Sequence, residues 1–399
     1  MKKNTSLVIL CGGKGTRLGK ITKKTPKPLI RINKKPFIEY LINFYQKFNF
    51  DKIYLIGFYK PQQFKKLFNN KEFNFIKCEF IKEKIALDTA GALNTIRNKV
   101  QGDMVVINGD SYLDYNFIKF KNFHQSHNSN SMILVKNLNY KTNNKLNKLK
   151  IEKRIIKKSI YSKYMNSGVY FFKKEIFNYI PKNKKISLEN DVLPILIERR
   201  KIKGIYSNGF FIDIGLKKNL YFAKKKLIEV IKKPAIFLDR DGVINKDTGY
   251  VHRFNQIIWL NNTLKLLKSI INKNFYVFIV TNQAGIGRKL YSEKIIFNLQ
   301  VNMKNYLSQK NIFIDDVKYC PHHPEFGVGK YKKKCMCRKP NNKMLKDLLQ
   351  YWNIKIKDSI MIGDRKTDYI AAKKSNIKFY YINDRNIAEI KKNLKKNYI

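Results

Sequence analysis

The sequence predicts an α/β protein with two three-layer domains, each with helices packed on a mostly parallel sheet. Short apolar runs alternate with helix-like segments from the start of the chain, as in SLVIL, PFIEYLINFYQKF, DKIYLIGFY and DMVVIN. Such alternation is typical of parallel sheets. The chain has 399 residues, which is too long for one typical hydrophobic core. The alternation restarts at AIFLDRDG, directly after Pro234.

The boundary between the two domains is predicted at the end of the lysine-rich segment NLYFAKKKLIEVIKK. We expect domains at residues 1–231 and 232–399, both Rossmann-like. Within the first domain, residues 137–163 are polar and repetitive, which predicts a hairpin or a mobile flap at the cleft.

The composition gives a formal net charge of +53, which would suit a nucleic-acid-binding protein. Lysine, however, is spread through every segment alongside much Asn and Ile, as AT-rich codons produce, and no basic stripe accompanies a nucleic-acid-binding module. We therefore expect no nucleic-acid partner, although the charge would attract anionic substrates. The alternative, a nucleic-acid-binding protein built on degenerate enzyme domains, conflicts with the acidic motifs described below.

The longest apolar runs, such as FYVFIV, have the length of a strand and fall short of a membrane span. The N-terminal apolar run ends at Cys11, too early for a signal peptide. These features predict a cytoplasmic protein that does not bind membranes.

A glycine-rich loop, CGGKGTRLGK, directly follows the first predicted strand. It fails the P-loop pattern, because Lys14 stands where the first glycine belongs and Ile21 stands where the hydroxyl belongs. It also fails the dinucleotide fingerprint, because Leu18 occupies the third glycine position. The loop can still cradle a triphosphate with its backbone N–H groups.

Four charged residues of the first domain would suit a bound triphosphate. Arg17 and Lys27 can neutralise phosphate oxygens. Asp110 follows the strand MVVIN, and Asp213 lies in GFFIDIG. Ligands of open α/β sheets bind at the carboxyl ends of the strands. Two carboxylates that face one triphosphate there predict a Mg²⁺ site.

Six motifs occur in order across residues 5–225, namely GG-x-GTRL, PKP, DTAGAL, NGD, NSGVYFF and FIDIG. The set resembles the sugar-1-phosphate nucleotidyltransferase family, and LDTAGALNTIR and NSGVYFFKKEIF are most similar to D-glycero-D-manno-heptose 1-phosphate guanylyltransferases. The resemblance implies a nucleotidyltransferase fold. In the implied reaction a sugar 1-phosphate attacks the α-phosphorus of GTP or another NTP, and pyrophosphate leaves.

That resemblance also implies roles for individual residues. Arg17 and Lys27 would be catalytic residues that stabilise the phosphates, while Asp110 and Asp213 would hold Mg²⁺. The nucleotide would contact Gly12, Gly13, Gly15, Thr16, Gly91 and Asp110. The sugar would contact Asn166 and Gly168. The Glu-Lys pair that often precedes the NSGVY-like strand in this family is absent, which leaves Lys163 as the one counterpart.

In the second domain, AIFLDRDGVIN places Asp239 and Asp241 just past an apolar strand. Side chains two residues apart in an extended segment point the same way. One carboxylate can therefore be a nucleophile and the other a general acid, with Mg²⁺ offsetting their repulsion. Asp364, in SIMIGD, is a suitable further metal ligand. The candidates for binding the phosphate are Thr281, Asn282 and Lys339.

Residues 234–385 resemble the haloacid dehalogenase-like phosphatase superfamily, through D-x-D-G, T-N, Lys and G-D-x-x-x-D in that order. The resemblance implies that Asp239 attacks phosphorus to give an aspartyl phosphate. Asp241 would protonate the leaving sugar oxygen and then activate water, and catalytic Lys339 would neutralise the phosphoryl oxygens. Mg²⁺ would be held by Asp239, the Asp241 carbonyl and Asp364. Asp368, one turn later, is left as either a supporting or a functional residue.

Three of the five cysteines crowd into a short stretch of the second domain. Four soft ligands suitable for a closed structural zinc site are Cys320, His322, Cys335 and Cys337. His323 is the alternative to His322. The grouping favours a zinc-bound loop over a disulfide framework. Cys11 and Cys78 are expected to be ordinary buried thiols.

The motifs FLDRDGVIN, TNQAGIGR and YCPHHPEFG…CMCRKP closely resemble heptose 1,7-bisphosphate 7-phosphatases, with Arg288 and Arg338 placed to grip the second phosphate of the substrate. Histidinol phosphatases share the catalytic pattern and the zinc loop, so they are the main competitor. Their usual fusion partner is a histidine-rich dehydratase, whereas the first domain contains only His124 and His127.

The two resemblances converge on a bifunctional enzyme that produces GDP-heptose for surface polysaccharide, S-layer glycan or lipopolysaccharide. Heptose 1-phosphate, the product of the phosphatase, is the substrate that a heptose guanylyltransferase needs. The alternative keeps both folds but changes the substrates, for instance to a hexose 1-phosphate with UTP, CTP or GTP. In either case we expect small molecules as the partners.

Overall fold

The computed structural model describes residues 4–136, 149–159, 161–270, 274–382 and 390–392. The chain divides into two compact units. The first holds the described residues up to 46 and those from 50 to 227, and the second holds residues 47–49 and the described residues from 228 onward. The predicted α/β fold class is confirmed for both units, while the domain boundary at 231/232 stays a prediction.

The first unit is built on a ten-stranded sheet of order β10-β11-β13-β9-β12-β7-β1-β4-β6-β5, with two further two-stranded pairs, β2-β3 and β8-β14. The strands are β1 (Thr5–Leu10), β2 (Arg31–Ile32), β3 (Lys35–Pro36), β4 (Ile53–Gly57), β5 (Glu72–Phe73), β6 (Ile76–Lys82), β7 (Asp103–Asn108), β8 (Ser111–Leu113), β9 (Asn130–Lys136), β10 (Leu149–Glu152), β11 (Ile155–Lys158), β12 (Tyr164–Phe172), β13 (Ile202–Ser207) and β14 (Phe211–Asp213). The run β7-β1-β4-β6 is parallel throughout, so the carboxyl ends of these four strands share one edge.

The helices of this part of the chain are short and mostly follow a strand. They are α1 (Lys20–Lys24), α2 (Phe37–Tyr45), α3 (Pro61–Phe68), α4 (Asp88–Leu93), α5 (Phe117–His127), α6 (Leu193–Glu198) and α7 (Lys217–Ile231). The apolar run of β1 is buried together with its neighbours, and Val8, Ile56 and Val106 belong to one core cluster. Burial of both faces explains why these strands are continuous apolar runs rather than alternating ones.

Part of the polar segment 137–163 forms the expected hairpin. Strands β10 and β11 pair antiparallel, with Ile151 opposite Ile156. Residues 137–148 lie outside the described residues, so the prediction of a flap stays untested there.

The second unit contains a five-stranded, all-parallel sheet of order β17-β16-β15-β18-β19. Its strands are β15 (Ala235–Leu238), β16 (Tyr276–Asn282), β17 (Asp316–Cys320), β18 (Ile360–Gly363) and β19 (Lys378–Tyr381). Its helices are α8 (Asn261–Ile270), α9 (Ala284–Gly287), α10 (Glu293–Gln309), α11 (Lys343–Tyr351) and α12 (Lys366–Lys373). The central strand β15 is fully buried, and Phe237 and Phe278 pack in a core closed by Trp352.

Across the described parts of the chain, none of the helices is both long and apolar enough to span a membrane.

Candidate active sites

A cavity of about 500 Å³ opens where β1 and β7 end. It is lined by Leu10, Cys11, Gly12, Gly13, Lys14, Lys27, Pro28, Phe58, Glu83, Ala86, Asp88, Thr89, Ala92, Asn108, Asp110 and Lys185. Because β1 and β7 are adjacent and parallel, the glycine-rich loop and Asp110 follow them at the same edge of the sheet. This is the edge at which open α/β sheets bind ligands.

Asp110 and Asp213 approach each other through the small β8-β14 pair. Asp213 lies opposite Ser111, the residue after Asp110, and the Ile214 N–H donates to the Asp110 carbonyl. Burial raises the pKa of Asp213 to about 6, and the nearby Asp110 carboxylate adds to that increase. Lys27 lies 2.6 Å from an Asp110 carboxylate oxygen. Two close carboxylates with one lysine form a site that could hold a divalent cation.

The glycine-rich loop splits into two parts. Gly12 and Gly13 line the cavity, whereas Gly15 and Thr16 are not among the lining residues. Gly15 has a positive φ of 66°, and its carbonyl accepts a hydrogen bond from Thr22 Oγ1 at 2.9 Å. Arg17 is exposed, and its charge lowers the pKa of Asp213 only weakly, less than that of Lys27 does.

Glu83 is a buried carboxylate at this cavity. It follows β6, and its N–H donates to the Gly57 carbonyl. A Cβ on Gly12 would lie 2.8 Å from Glu83 Oε2, so the carboxylate rests directly against the loop. Burial raises the pKa of Glu83, opposed by a hydrogen bond from the Leu87 N–H.

The other sequence-predicted positions of the first unit have mixed surroundings. Gly91 packs on backbone, since a Cβ there would lie 2.7 Å from the Lys184 carbonyl, and it is not among the cavity-lining residues. Asn166 donates to Tyr170 Oη at 2.5 Å and accepts from the Gly168 N–H at 2.9 Å. Gly168 has a φ of +74°, and a Cβ there would lie 2.6 Å from Asn108 Nδ2. The Asn108 side chain therefore occupies the space beside this glycine.

The second site lies where β15 and β18 end. Asp239 follows β15 and is buried, and its Oδ1 accepts a hydrogen bond from the Arg240 N–H at 2.7 Å. Lys339 Nζ lies 2.9 Å from Asp239 and 2.6 Å from Asp368. Burial raises the pKa of Asp239 above its ordinary value, with Lys339 opposing the increase and Asp368 adding to it. Burial alone would lower the pKa of Lys339, but the two carboxylates outweigh it and raise that pKa.

Asp364, at the end of β18, completes a group of carboxylates. One oxygen each of Asp239, Asp364 and Asp368 lies within 4.8 Å of the others. Gly242 has a φ of +82°, and a Cβ there would lie 2.2 Å from Asp364 Oδ2, so glycine is required for this approach. Asp364 Oδ1 is buried without a hydrogen-bond partner among the described residues. A buried, unpartnered anionic oxygen among other carboxylates fits a bound cation.

Asp241 does not join this carboxylate group. Its Oδ1 accepts hydrogen bonds from Arg240 Nε at 3.0 Å and Asn245 Nδ2 at 2.9 Å. Its Oδ2 accepts from Arg240 Nη2 at 2.7 Å and Gln283 Nε2 at 3.2 Å. The carboxylate predicted as a general acid is therefore surrounded by donors.

The remaining positions predicted to bind substrate have protein partners. The Thr281 hydroxyl accepts from Gln283 Nε2 at 2.9 Å. Asn282 and Lys339 exchange two hydrogen bonds, from Asn282 Nδ2 to the Lys339 carbonyl and from the Lys339 N–H to Asn282 Oδ1. This exchange fixes the backbone that carries the Lys339 ammonium.

The two arginines predicted to bind the second phosphate of the substrate lie close to residues 320–338, the segment that carries the clustered Cys and His residues. The Arg288 guanidinium stacks 4.4 Å from the ring of Phe326 and 5.5 Å from that of Tyr250. Arg338 donates to the His322 carbonyl at 3.3 Å. Both side chains thus depend on the conformation of residues 320–338.

The Cys–His cluster brings four candidate ligand atoms together, from Cys320, His322, Cys335 and Cys337. The contacts between their sulfur and nitrogen atoms range from 3.1 to 3.6 Å. Tetrahedral ligands about 2.3 Å from zinc would be about 3.8 Å apart. His323 faces elsewhere and accepts hydrogen bonds from the N–H groups of Glu325 and Phe326. The arrangement could hold a metal ion such as zinc.

Comparison with known proteins agrees with this geometry. The family model described as nucleotidyl transferase matches residues 6–230. The chain belongs to the nucleotidyl transferase family. A second model, haloacid dehalogenase-like hydrolase, matches residues 308–382 of this nucleotidyl transferase.

Two curated relatives carry related names. The D-glycero-β-D-manno-heptose-1,7-bisphosphate 7-phosphatase of Vibrio cholerae is 37% identical over 145 residues, which are 36% of this chain and 78% of that protein. The D-glycero-α-D-manno-heptose-1,7-bisphosphate 7-phosphatase of Photorhabdus laumondii is 39% identical over 141 residues, 35% of this chain and 77% of that protein. The C-terminal part of this nucleotidyl transferase is thus a haloacid dehalogenase-like phosphatase domain.

Among solved structures, HddC from Yersinia pseudotuberculosis is 29% identical and matches with a TM-score of 0.46 over 56% of this chain and 99% of that one. The family and relatives confirm the predicted combination, a bifunctional enzyme with a nucleotidyl transferase domain followed by a phosphatase domain.

Sequence reasoning missed several polar residues of the nucleotidyl transferase chain that the structure brings to the two sites. Glu83 and Lys185 line the first cavity, and Gln283 contacts Asp241 in the second site. Glu83 and Lys185 stand outside every motif. Gln283 follows Thr281 and Asn282 directly, so its position in TNQAG was the available signal.

Proposed function

We propose that this chain makes a GDP-activated heptose from a heptose bisphosphate in two reactions. The second unit removes the 7-phosphate of D-glycero-D-manno-heptose 1,7-bisphosphate, and the first unit couples the resulting heptose 1-phosphate to GTP. The observation that carries this proposal is the presence, in one chain, of a nucleotidyl transferase and a relative of heptose-1,7-bisphosphate 7-phosphatases. Removal of the 7-phosphate leaves a sugar 1-phosphate, which is the acceptor that the transferase reaction needs.

The choice of GTP is supported by the Glu83 carboxylate at the cavity. Guanine carries two neighbouring donors, N1–H and the N2 amino group, and a carboxylate can accept hydrogen bonds from both. Uracil would instead present one N–H between two carbonyl oxygens, and a carboxylate repels carbonyl oxygens. Glu83 Oε1 already accepts from the Leu87 N–H, and Oε2 lies beside Gly12. Because Glu83 is buried, a base that offered no donor to Oε2 would lose affinity.

In the phosphatase reaction, Asp239 attacks the phosphorus of the 7-phosphate. The bond from phosphorus to the sugar oxygen breaks, and that oxygen takes the electron pair of the bond and a proton from Asp241. Asp241 then removes a proton from the water that attacks the aspartyl phosphate, which releases inorganic phosphate and restores Asp239. Lys339, already between Asp239 and Asp368, would offset the negative charge of the phosphoryl oxygens.

In the transferase reaction, a phosphate oxygen of heptose 1-phosphate attacks the α-phosphorus of GTP. The bond between the α-phosphorus and the bridging oxygen breaks, and pyrophosphate leaves with the electron pair. Such displacements depend on positioning and charge neutralisation. Lys27 and Arg17 would supply positive charge, while Gly12 and Gly13 would let the phosphates approach the backbone.

The donor sets of both sites fit Mg²⁺, which would neutralise phosphate oxygens at each centre. In the first unit Asp110 and Asp213 would hold it. In the second unit the ligands would be Asp239, the Asp241 carbonyl and Asp364, whose Oδ1 has no partner among the described residues. The Cys–His cluster would hold a structural Zn²⁺, so metal analysis should find about one zinc per chain and none after Cys337→Ser.

Incubation of the purified protein with heptose 1,7-bisphosphate, Mg²⁺ and each of GTP, UTP and CTP tests the proposal. Mass spectrometry should detect GDP-heptose with both inorganic phosphate and pyrophosphate. Both anomers are needed as substrates, since relatives of nearly equal identity are named for different anomers. Preference for mannose 1-phosphate over heptose 1-phosphate, or for UTP over GTP, would contradict the assignment. Release of phosphate from histidinol phosphate instead of the heptose ester would contradict the phosphatase half.

A further inference from the structure

The carboxylate of Asp241 accepts hydrogen bonds from three residues of the second unit, Arg240, Asn245 and Gln283. Arg240, its neighbour, donates two parallel hydrogen bonds from a guanidinium that is fully buried. Asn245, four residues further along the same segment, donates a third to Oδ1 at 2.9 Å. Gln283 donates a fourth from the position directly after β16, a different strand. A neighbouring residue alone can turn together with Asp241, whereas a donor on another strand fixes the direction of the carboxylate within the sheet.

Gln283 is itself fixed in one orientation. It is buried, and its Nε2 donates both to Asp241 Oδ2 at 3.2 Å and to Thr281 Oγ1 at 2.9 Å. Its Oε1 accepts from Tyr291 Oη at 3.2 Å. The backbone is anchored too, because the Gln283 N–H donates to the Cys320 carbonyl at 2.8 Å.

Tyr291 is held in turn by two contacts of its ring. A Cβ on Gly285 would lie 2.3 Å from the ring, so the ring lies against the backbone there. The ring also stacks with His252 at a centroid distance of 4.9 Å. Burial raises the pKa of Tyr291 to about 12, so its hydroxyl keeps the proton that it donates to Gln283.

We propose that Gln283, supported by Tyr291, is a positioning residue that aims the Asp241 carboxyl group at the leaving oxygen of the phosphate ester. The inference rests on the role of Asp241 proposed above. A general acid acts only within hydrogen-bond reach of the oxygen that it protonates, and its contribution is about 100- to 10,000-fold. A displacement of about 1 Å can remove about 100-fold of such catalysis.

A comparison of two esters with different leaving groups distinguishes this positioning role from a merely structural one. A sugar alkoxide is a poor leaving group and needs the proton of Asp241, whereas p-nitrophenolate leaves without one. The value of kcat/KM covers the steps up to departure of the leaving group, so the later attack of water does not enter it. Misplacement of the Asp241 carboxyl group should therefore lower kcat/KM for heptose 1,7-bisphosphate and leave kcat/KM for p-nitrophenyl phosphate nearly unchanged.

The experiment compares Gln283→Leu and Tyr291→Phe with the unchanged full-length protein on both esters. Gln283→Leu should lower kcat/KM for the heptose bisphosphate by about 10- to 100-fold, and for p-nitrophenyl phosphate by less than about threefold. Tyr291→Phe, which removes one oxygen, should act in the same direction with a loss of about 3- to 10-fold. Gln300→Leu is the matched control, since Gln300 is buried on α10 and neither amide atom has a hydrogen-bond partner among the described residues.

Equal losses on both esters would overturn the proposal, and so would unchanged kinetics in both variants. Where Gln283→Leu does not fold, the ratio measured with Tyr291→Phe decides. An unchanged protein that hydrolyses p-nitrophenyl phosphate but not heptose 1,7-bisphosphate would refute the proposed substrate instead. In that case aryl phosphates with progressively poorer leaving groups still test Gln283, because the loss in the variant should grow along the series.

Discussion

The two acidic sites of this chain use a lysine in different ways. In the first unit Lys27 pairs with Asp110, whose side chain is 25% exposed at a large cavity. In the second unit the side chain of Lys339 is only 2% exposed and lies between Asp239 and Asp368. In the first arrangement a buried lysine pairs with a partly exposed carboxylate at a cavity, and in the second a buried lysine is shared by two buried carboxylates.

The two sites are also assembled differently. Asp239 and Asp364 follow β15 and β18, which are adjacent parallel strands, so their carboxylates meet by the topology of the sheet. Asp110 and Asp213 meet because the short antiparallel strands β8 and β14 pair across about a hundred residues of chain. The phosphatase site is thus a property of its central sheet, whereas the transferase site depends on a small pair outside the main sheet.

The difference matches the chemistry proposed for each unit. A carboxylate that forms a covalent bond to phosphorus has to be fixed in direction, and burial beside Lys339 fixes Asp239. A transfer between two bound substrates needs the substrates to be positioned, so the protein supplies a roomy cavity with backbone and side-chain charge at its wall.

The largest effect is expected from Asp239→Asn. An amide cannot attack phosphorus, so kcat for heptose bisphosphate hydrolysis should fall by about 10,000-fold or more. Transfer from heptose 1-phosphate and GTP should stay within about twofold, as measured by pyrophosphate release. Asp347→Asn, on the exposed part of α11, is the matched control and should change neither rate. Phosphate release above about 1% of the original rate would argue against Asp239 as the nucleophile.

The next effect concerns stability and compares the two lysines. Lys339→Met leaves two buried carboxylates without their cation, which should cost about 3–5 kcal/mol. For a domain of this size that lowers the melting temperature by roughly 6–20 °C. Lys27→Met should cost less than that, because the side chain of its partner Asp110 is 25% exposed, whereas those of Asp239 and Asp368 are buried. Calorimetry without added Mg²⁺ measures both, and equal shifts would show that the contrast between the sites is wrong.

A smaller loss is expected from Asp213→Asn, which should affect the transferase alone. Removal of one charged ligand from a phosphoryl-transfer site should lower kcat by about 100- to 1,000-fold, comparable with the loss of one oxyanion-hole donor. The variant should also need more Mg²⁺ for half-maximal rate, which a titration of Mg²⁺ would reveal. If hydrolysis of the heptose bisphosphate fell as well, the assignment of Asp213 to one reaction would be wrong.

The contrast between the sites also explains what the sequence could predict. The phosphatase carboxylates directly follow apolar runs that became buried parallel strands, so local pattern and site coincide at Asp239 and Asp364. In the transferase the resemblance implies that Gly91 lies near the base. The structure places it against the Lys184 carbonyl, between the cavity-lining Thr89 and Ala92, and its contact with the nucleotide stays a prediction. Glu83 could not be predicted, because its contact with Gly12 arises only when β6 is aligned with β4 and β1. A single Glu in a lysine-rich segment carries no such signal.

The smallest effect tests that missed residue. In Glu83→Gln the side chain offers one acceptor beside one donor, which suits N3–H and O4 of uracil, whereas the second donor of guanine loses its acceptor. The ratio of kcat/KM for GTP to that for UTP should therefore fall by about 10-fold or more, the size expected for one hydrogen bond to a charged group. Glu79→Gln, on the preceding strand β6, is the control, since Glu79 pairs with Lys52 and Lys99 and does not line the cavity. A uniform fall for every NTP would mean that Glu83 supports the loop without reading the base, and GTP selection would then have to come from other residues at the cavity wall.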